Sequence, residues 1–129
     1  MIRIAKLPAS LILCLSVGLV SCGGSTQKNE ADLLLGKWVL QEALRNGKPT
    51  ESLDELYFEF YEDGQMNTNL AGEDQTGVYE LEGGVIRQRE TGMDVDYQLL
   101  ELSDSALVLS TQLRDFSFRF TLRRKLQEE

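Results

Sequence analysis

The sequence predicts an all-β protein: an eight-stranded antiparallel up-and-down barrel that follows an export leader. Three observations predict it. Short runs rich in β-branched and aromatic residues recur along the chain, separated by turn residues at near-regular intervals. The last run, "DFSFRFTLRRK", alternates strictly, with Phe116, Phe118, Phe120 and Leu122 on one face and Ser117, Arg119, Thr121 and Arg123 on the other. No strong helical pattern is present to cover such an apolar face. The simplest way to bury it, and to remove both sheet edges, is for the sheet to close on itself.

The leader comes first. Residues 1–21 join a basic start, with Arg3 and Lys6, to the apolar stretch "LILCLSVGLV", which is too short for a spanning helix and reads as an export signal. It ends in Leu19-Val20-Ser21-Cys22, which resembles the bacterial lipobox. That resemblance implies a signal peptide over 1–21 and a diacylglycerol on the sulfur of Cys22, with the mature chain held to a membrane by its acyl groups. Residues 22–32, small and polar without periodicity, read as a flexible tether, and 33–129 as the folded domain.

Composition excludes much chemistry. Cys14 leaves with the signal and Cys22 takes the lipid, so the domain has no thiol for a disulfide, a metal or a nucleophile; histidine is absent altogether. No serine–histidine or cysteine–histidine pair and no histidine-based zinc site is available, and no catalytic residue, metal or cofactor is expected. Loss of the two positive charges of Arg3 and Lys6 takes the formal charge from −8 to −10, which makes nucleic acid and anionic lipid poor partners. The "DVD" at 94–96 and "ELE" at 80–82 place acid pairs on single strand faces, where solvated carboxylates or a weak calcium contact outweigh an acid/base pair.

Eight strands are predicted at about 35–44, 55–62, 66–71, 76–82, 85–91, 94–102, 106–112 and 116–124. Turn residues separate nearly all of them, including Asn46-Gly47, Asp63-Gly64, Gly83-Gly84 and Arg114-Asp115. "SLDE" at 52–55 can open a single helical turn but no apolar run follows it. A two-residue turn at Gly83-Gly84 sets Leu81 opposite Ile86 and Tyr79 opposite Gln88 on one face, and Glu80 opposite Arg87 on the other, with Arg89 also outside. At Asp63-Gly64, a three-residue loop with a glycine bulge puts Phe60 beside Thr68 and Phe58 beside Leu70. In the sixth strand, Val95, Tyr97 and Leu99 have one parity and Leu100 and Leu102 the other, so a bulge is expected near Leu99.

Trp38, the only tryptophan, shares a parity with Leu40 and Leu44, so its indole points into the barrel where the first strand enters, and Gly36 leaves room for the chain to cross the floor. This Gly-x-Trp at the head of the first strand resembles the lipocalin and wider calycin signature. With "FEFYEDG", "GVYELEGG" and "LLELSDSALVLS", nearly the whole mature domain resembles the small lipocalin-like domains of Bacteroidetes-type lipoproteins. The resemblance implies a basic residue near the end of the barrel stacked on the indole, and parity with Phe120 and Leu122 makes it Arg124. The chain is shorter than a typical lipocalin and lacks the helix that usually follows the last strand.

Two function classes follow. The resemblance implies a membrane-anchored lipoprotein that binds a small apolar or amphipathic ligand in the barrel mouth, opposite Trp38. Phe58, Leu70, Tyr79, Gln88 and Phe116 are the candidate lining residues, and the segment "NGKPTESLDEL" lies across the opening, with the loops around 71–75, Gly92 and 113–115 at the same rim. The alternative is a non-enzymatic envelope module with a filled barrel that meets a protein or glycan through its surface or loops. Gly23 after Cys22, with no acidic run directly behind it, favours the outer membrane, facing the periplasm.

Overall fold

The computed structural model describes residues 29–126. The leader, the lipobox with Cys22 and the tether as far as residue 28 lie outside the described residues. One helical turn, α1 (Glu30–Leu34), opens the fold; the Asn29 side chain caps it by accepting from the Asp32 N–H at 3.0 Å, with Glu30 and Asp32 at its positive end. Residues 30–32, read from sequence as tether, are thus helical. Five residues are too few to show a helical period, and the turn is fixed from outside by burial of Leu34.

Nine strands follow: β1 (Gly36–Arg45), β2 (Lys48–Pro49), β3 (Tyr57–Phe60), β4 (Gln65–Thr68), β5 (Gln75–Glu82), β6 (Val85–Arg89), β7 (Val95–Leu102), β8 (Ala106–Leu113) and β9 (Phe116–Arg124). Neighbours in the chain pair antiparallel from β3 to β9, and β1 pairs with both β3 and β9. Eight strands therefore close into the expected barrel, and β2 is a two-residue extension on the far end of β1. The segment after β1 runs back along that strand instead of across the opening. The Thr50 N–H donates to the Ala43 carbonyl at 3.0 Å and the Leu40 N–H to the Leu56 carbonyl at 3.1 Å, so this segment covers an edge of β1.

The registers show how local chemistry sets the faces. The Gly83-Gly84 hairpin pairs Tyr79 with Gln88, Glu80 with Arg87 and Leu81 with Ile86, as the two-residue turn requires. The β3–β4 loop has three residues, but they are Glu62–Gly64, closed by the Gly64 N–H on the Tyr61 carbonyl at 3.1 Å. Pairing is therefore Phe58 with Thr68 and Phe60 with Met66, two residues away from the expected register. A shift of two preserves parity, and all four side chains stay inside.

Two bulges adjust the wall. In β7 the register shifts between Leu99 and Glu101; Leu100 is left outside at 50% exposure while Leu102 returns to pack on the core. In β1 an unanticipated shift between Leu40 and Glu42 turns Ala43 inward and Leu44 outward, against the expected parity. The small Ala43 sits opposite Phe120, where a leucine would crowd the ring. Burial along β9 falls toward the mouth: Phe120 and Leu122 are fully buried, Phe118 is half-buried and Phe116 is 39% exposed.

Candidate functional site

The floor of the barrel is built around Trp38, which is fully buried and donates from Nε1 to the Leu34 carbonyl at 2.9 Å. Arg124 lies opposite it in the β1–β9 pairing, with its guanidinium carbon 4.3 Å from the ring centre. The same guanidinium donates to three carbonyls: Nε to Asp104 at 2.7 Å, Nη1 to Leu35 at 2.6 Å and Nη2 to Leu33 at 2.7 Å. One cation thus ties the last strand to α1, to the head of β1 and to the β7–β8 turn. Gly36 leaves room for this contact. Its φ is +113°, and a Cβ there would lie 2.8 Å from Arg124 Nη1.

Above the floor the interior is filled by aromatic rings. Phe58 meets Tyr97 edge-on with centroids 5.3 Å apart, and lies within 6.1 Å of Phe60 and 6.3 Å of Phe120. At the mouth, the loop joining β6 to β7 folds inward. Gln88, 1% exposed, accepts from the Tyr97 hydroxyl at 2.6 Å and donates to Thr91 Oγ1 at 2.7 Å; Thr91 in turn donates to the Met93 carbonyl at 2.9 Å. Burial pushes the Tyr97 phenol well above its ordinary range, so the phenol stays protonated and the hydroxyl remains a donor. Gly77 makes the tuck feasible: a Cβ there would come within 2.4 Å of the Arg89 carbonyl and 2.5 Å of Thr91 Cγ2.

The five residues expected to line a pocket do not meet in one. Phe58 and Gln88 are packed in the core and in the polar plug. Tyr79 turns toward the β3–β4 loop, its hydroxyl donating to the Tyr61 carbonyl at 2.9 Å and its ring 4.9 Å from Phe60. Leu70 borders a shallow concavity of about 290 Å³ with Leu53, Leu56 and Asn69. Phe116 sits at the rim beneath the Arg45 guanidinium at 5.1 Å. The strand tilt and stagger of a barrel explain the scatter, because residues of one parity on neighbouring strands share a face but not a level. Sequence reasoning missed Thr91 and Met93, and named Gln88 without its bond to the Tyr97 hydroxyl; a glycine inside a strand, Gly77, was the one available signal of a close approach. Three of the four paired acids form ion pairs: Arg89 Nη1 lies 2.9 Å from Asp96 and its Nε 3.9 Å from Asp94, and Arg87 lies 3.3 Å from Glu82.

No family model matches the chain, and no curated protein matches it. Among solved structures it is similar to a lipocalin-like protein from Bacteroides uniformis, with a TM-score of 0.55 and 19% sequence identity, over 72% of this chain and 99% of the other. A closed barrel of eight antiparallel strands, floored by a buried tryptophan under an arginine, superposes on that protein along almost its whole length, and the chain therefore has a lipocalin-like fold.

Proposed function

We propose that this protein is a non-enzymatic binding protein of the cell envelope, anchored by lipid on Cys22, that takes a small amphipathic ligand at the barrel mouth by displacing the β6–β7 loop. The observation that carries the reading is the polar plug. Gln88, Tyr97, Thr91 and the Met93 carbonyl form a hydrogen-bonded set inside an otherwise apolar barrel, and two of the four, Thr91 and the Met93 carbonyl, belong to a loop and not to the wall. An apolar plug would close the barrel at lower desolvation cost. With the loop withdrawn, the Gln88 amide and Tyr97 hydroxyl become head-group contacts, with Val95 level with Gln88 and Ile86 level with Tyr97 as apolar surface for a tail. The anchor is supported by the lipobox resemblance at 19–22, placement at the outer membrane facing the periplasm by Gly23 and the neutral stretch behind it, and the absence of catalysis by a domain without histidine or thiol.

The test titrates the neutral dye N-phenyl-naphthylamine against the unacylated Cys22→Ser protein. Saturable binding is expected, weakened in Gln88→Leu and strengthened in Gly77→Ala, whose loop is displaced before the ligand arrives. The fully packed rings around Phe58 favour a second reading, the filled-barrel module that works through its surface. A folded protein that binds no dye in any of the three forms decides for that reading.

A further inference from the structure

A concavity of about 570 Å³ lies in the barrel wall and not in its mouth. It follows from a break in the sheet. The β7–β8 ladder ends at Gln98 paired with Ser110, although β7 continues back to Val95 and β8 on to Leu113. Beyond that point a side chain replaces the ladder: Thr111 Oγ1 donates to the Asp96 carbonyl at 2.7 Å. A closed barrel is stabilised by each ladder bond, so a splay bridged by a side chain is a local departure that the fold alone does not require.

We propose that this splay is a binding groove for a neutral saccharide, distinct from the mouth and independent of the ligand proposed there. The lining is polar on a small apolar base. Gln98, Gln112, Ser110, Ser117, Asp94 and Asp96 surround Val95 and Phe118, which reach the groove from the inner side. Flat groups with two polar atoms, amides and carboxylates, match the paired hydroxyls of adjacent sugar carbons, and small hydroxyls both donate and accept. Charge selects against other ligands: the one cation, Arg89, is already paired with Asp96 and Asp94, which leaves the groove with a net negative charge and repels phosphate or sulfate. Asp94 and Asp96 nevertheless keep 72% and 52% of their side chains exposed, with oxygens free to accept from hydroxyls. A peptide strand fits less well. It needs about 4.8 Å on each side to add to a sheet, and the Thr111 hydroxyl already ties the two strands through the Asp96 carbonyl with which such a strand would pair.

The experiment uses the full-length protein in a detergent without a sugar head group and measures binding by calorimetry with maltohexaose, cellohexaose, laminarihexaose and the hexamer of N-acetylglucosamine. At least one is expected to bind, with affinity unchanged by raising the salt, since no charge pair forms. The variant Gln98→Ala/Gln112→Ala, altered at two exposed positions, is expected to weaken it by about tenfold or more with unchanged thermal stability. Gln88→Leu leaves this binding intact and the double variant leaves dye binding intact, so the two sites fail separately. Three results overturn the proposal: none of the four sugars binds, binding survives the double variant, or an extended peptide competes for the groove while sugars do not.

Discussion

Replacing Arg124 by alanine is expected to open the seam that closes the barrel. The change removes a cation from the face of Trp38, worth about 0.5–2 kcal/mol, and three hydrogen bonds from a charged donor, each about 1.5–3 kcal/mol before water takes its place. The seam is only half-buried, so water recovers part of the loss at the carbonyls of Leu33, Leu35 and Asp104. The net cost is about 3–5 kcal/mol, a third or more of the stability of a domain of about 100 residues. It lowers the Tm by at least about 12 °C. Urea unfolding followed by fluorescence reads this directly, because Trp38 is the only tryptophan and its indole lies beneath the guanidinium. The emission of the native variant also moves to longer wavelength as solvent reaches the floor. Arg124→Lys keeps the charge but cannot address three carbonyls from one plane, and recovers less than half of the loss. If Arg124→Ala shifts the midpoint no further than alanine at its exposed neighbour Arg123, the reasoning fails.

Three further outcomes are expected. Gly77→Ala pushes the β6–β7 loop out of the mouth at a cost of about 1–3 kcal/mol, seen as faster amide exchange at 90–94 while the floor stays protected; unchanged exchange there refutes the tuck. Stability falls in alkali. Burial and the hydrogen bond to Asp74 push the Tyr57 phenol from 10.0 up to about 12, and burial moves Tyr97 the same way, so the folded state retains protons that the unfolded chain releases. The Tyr57 contribution is full below pH 10 and lost between 10 and 12, while that of Tyr97 persists to higher pH, and Tyr57→Phe flattens the 10–12 slope in a series of denaturation curves. Cys22→Ser, lastly, moves the protein from the membrane to the soluble or unprocessed fraction; a variant that still sediments with membranes without acylation counts against the lipobox reading.

The legible parts of this fold are those governed by alternation and by turn chemistry. The strict period of β9 carries inward parity from Phe120 through Leu122 to Arg124, and the double glycine leaves a single register for β5 and β6. The bulge in β7 was readable because its leucines change parity; the bulge in β1 was not, because Leu44 fits the pattern that Ala43 interrupts. The mouth was least legible. Its closure depends on Thr91 lying against Gly77, fourteen positions earlier, and on the Tyr97 hydroxyl finding Gln88, and neither contact leaves a periodic trace. The level of each lining residue depends on the tilt of the whole barrel, which no single strand encodes.

The guanidinium of Arg124 also sets an order in time. Its partners at Leu33 and Leu35 lie 91 and 89 positions away, nearly the full length of the folded chain, so the contact that covers the indole belongs to the slowest class of encounter a chain of this size makes. A polypeptide made from its N-terminus presents the first strand long before the last. Until β9 arrives, that first strand has one flank without its sheet neighbour, and the hairpins between them form an open ribbon with two edges. The interval between synthesis of Trp38 and synthesis of Arg124 is therefore when this protein is most exposed to proteases and to pairing with other chains, and when a holding chaperone would have most to protect.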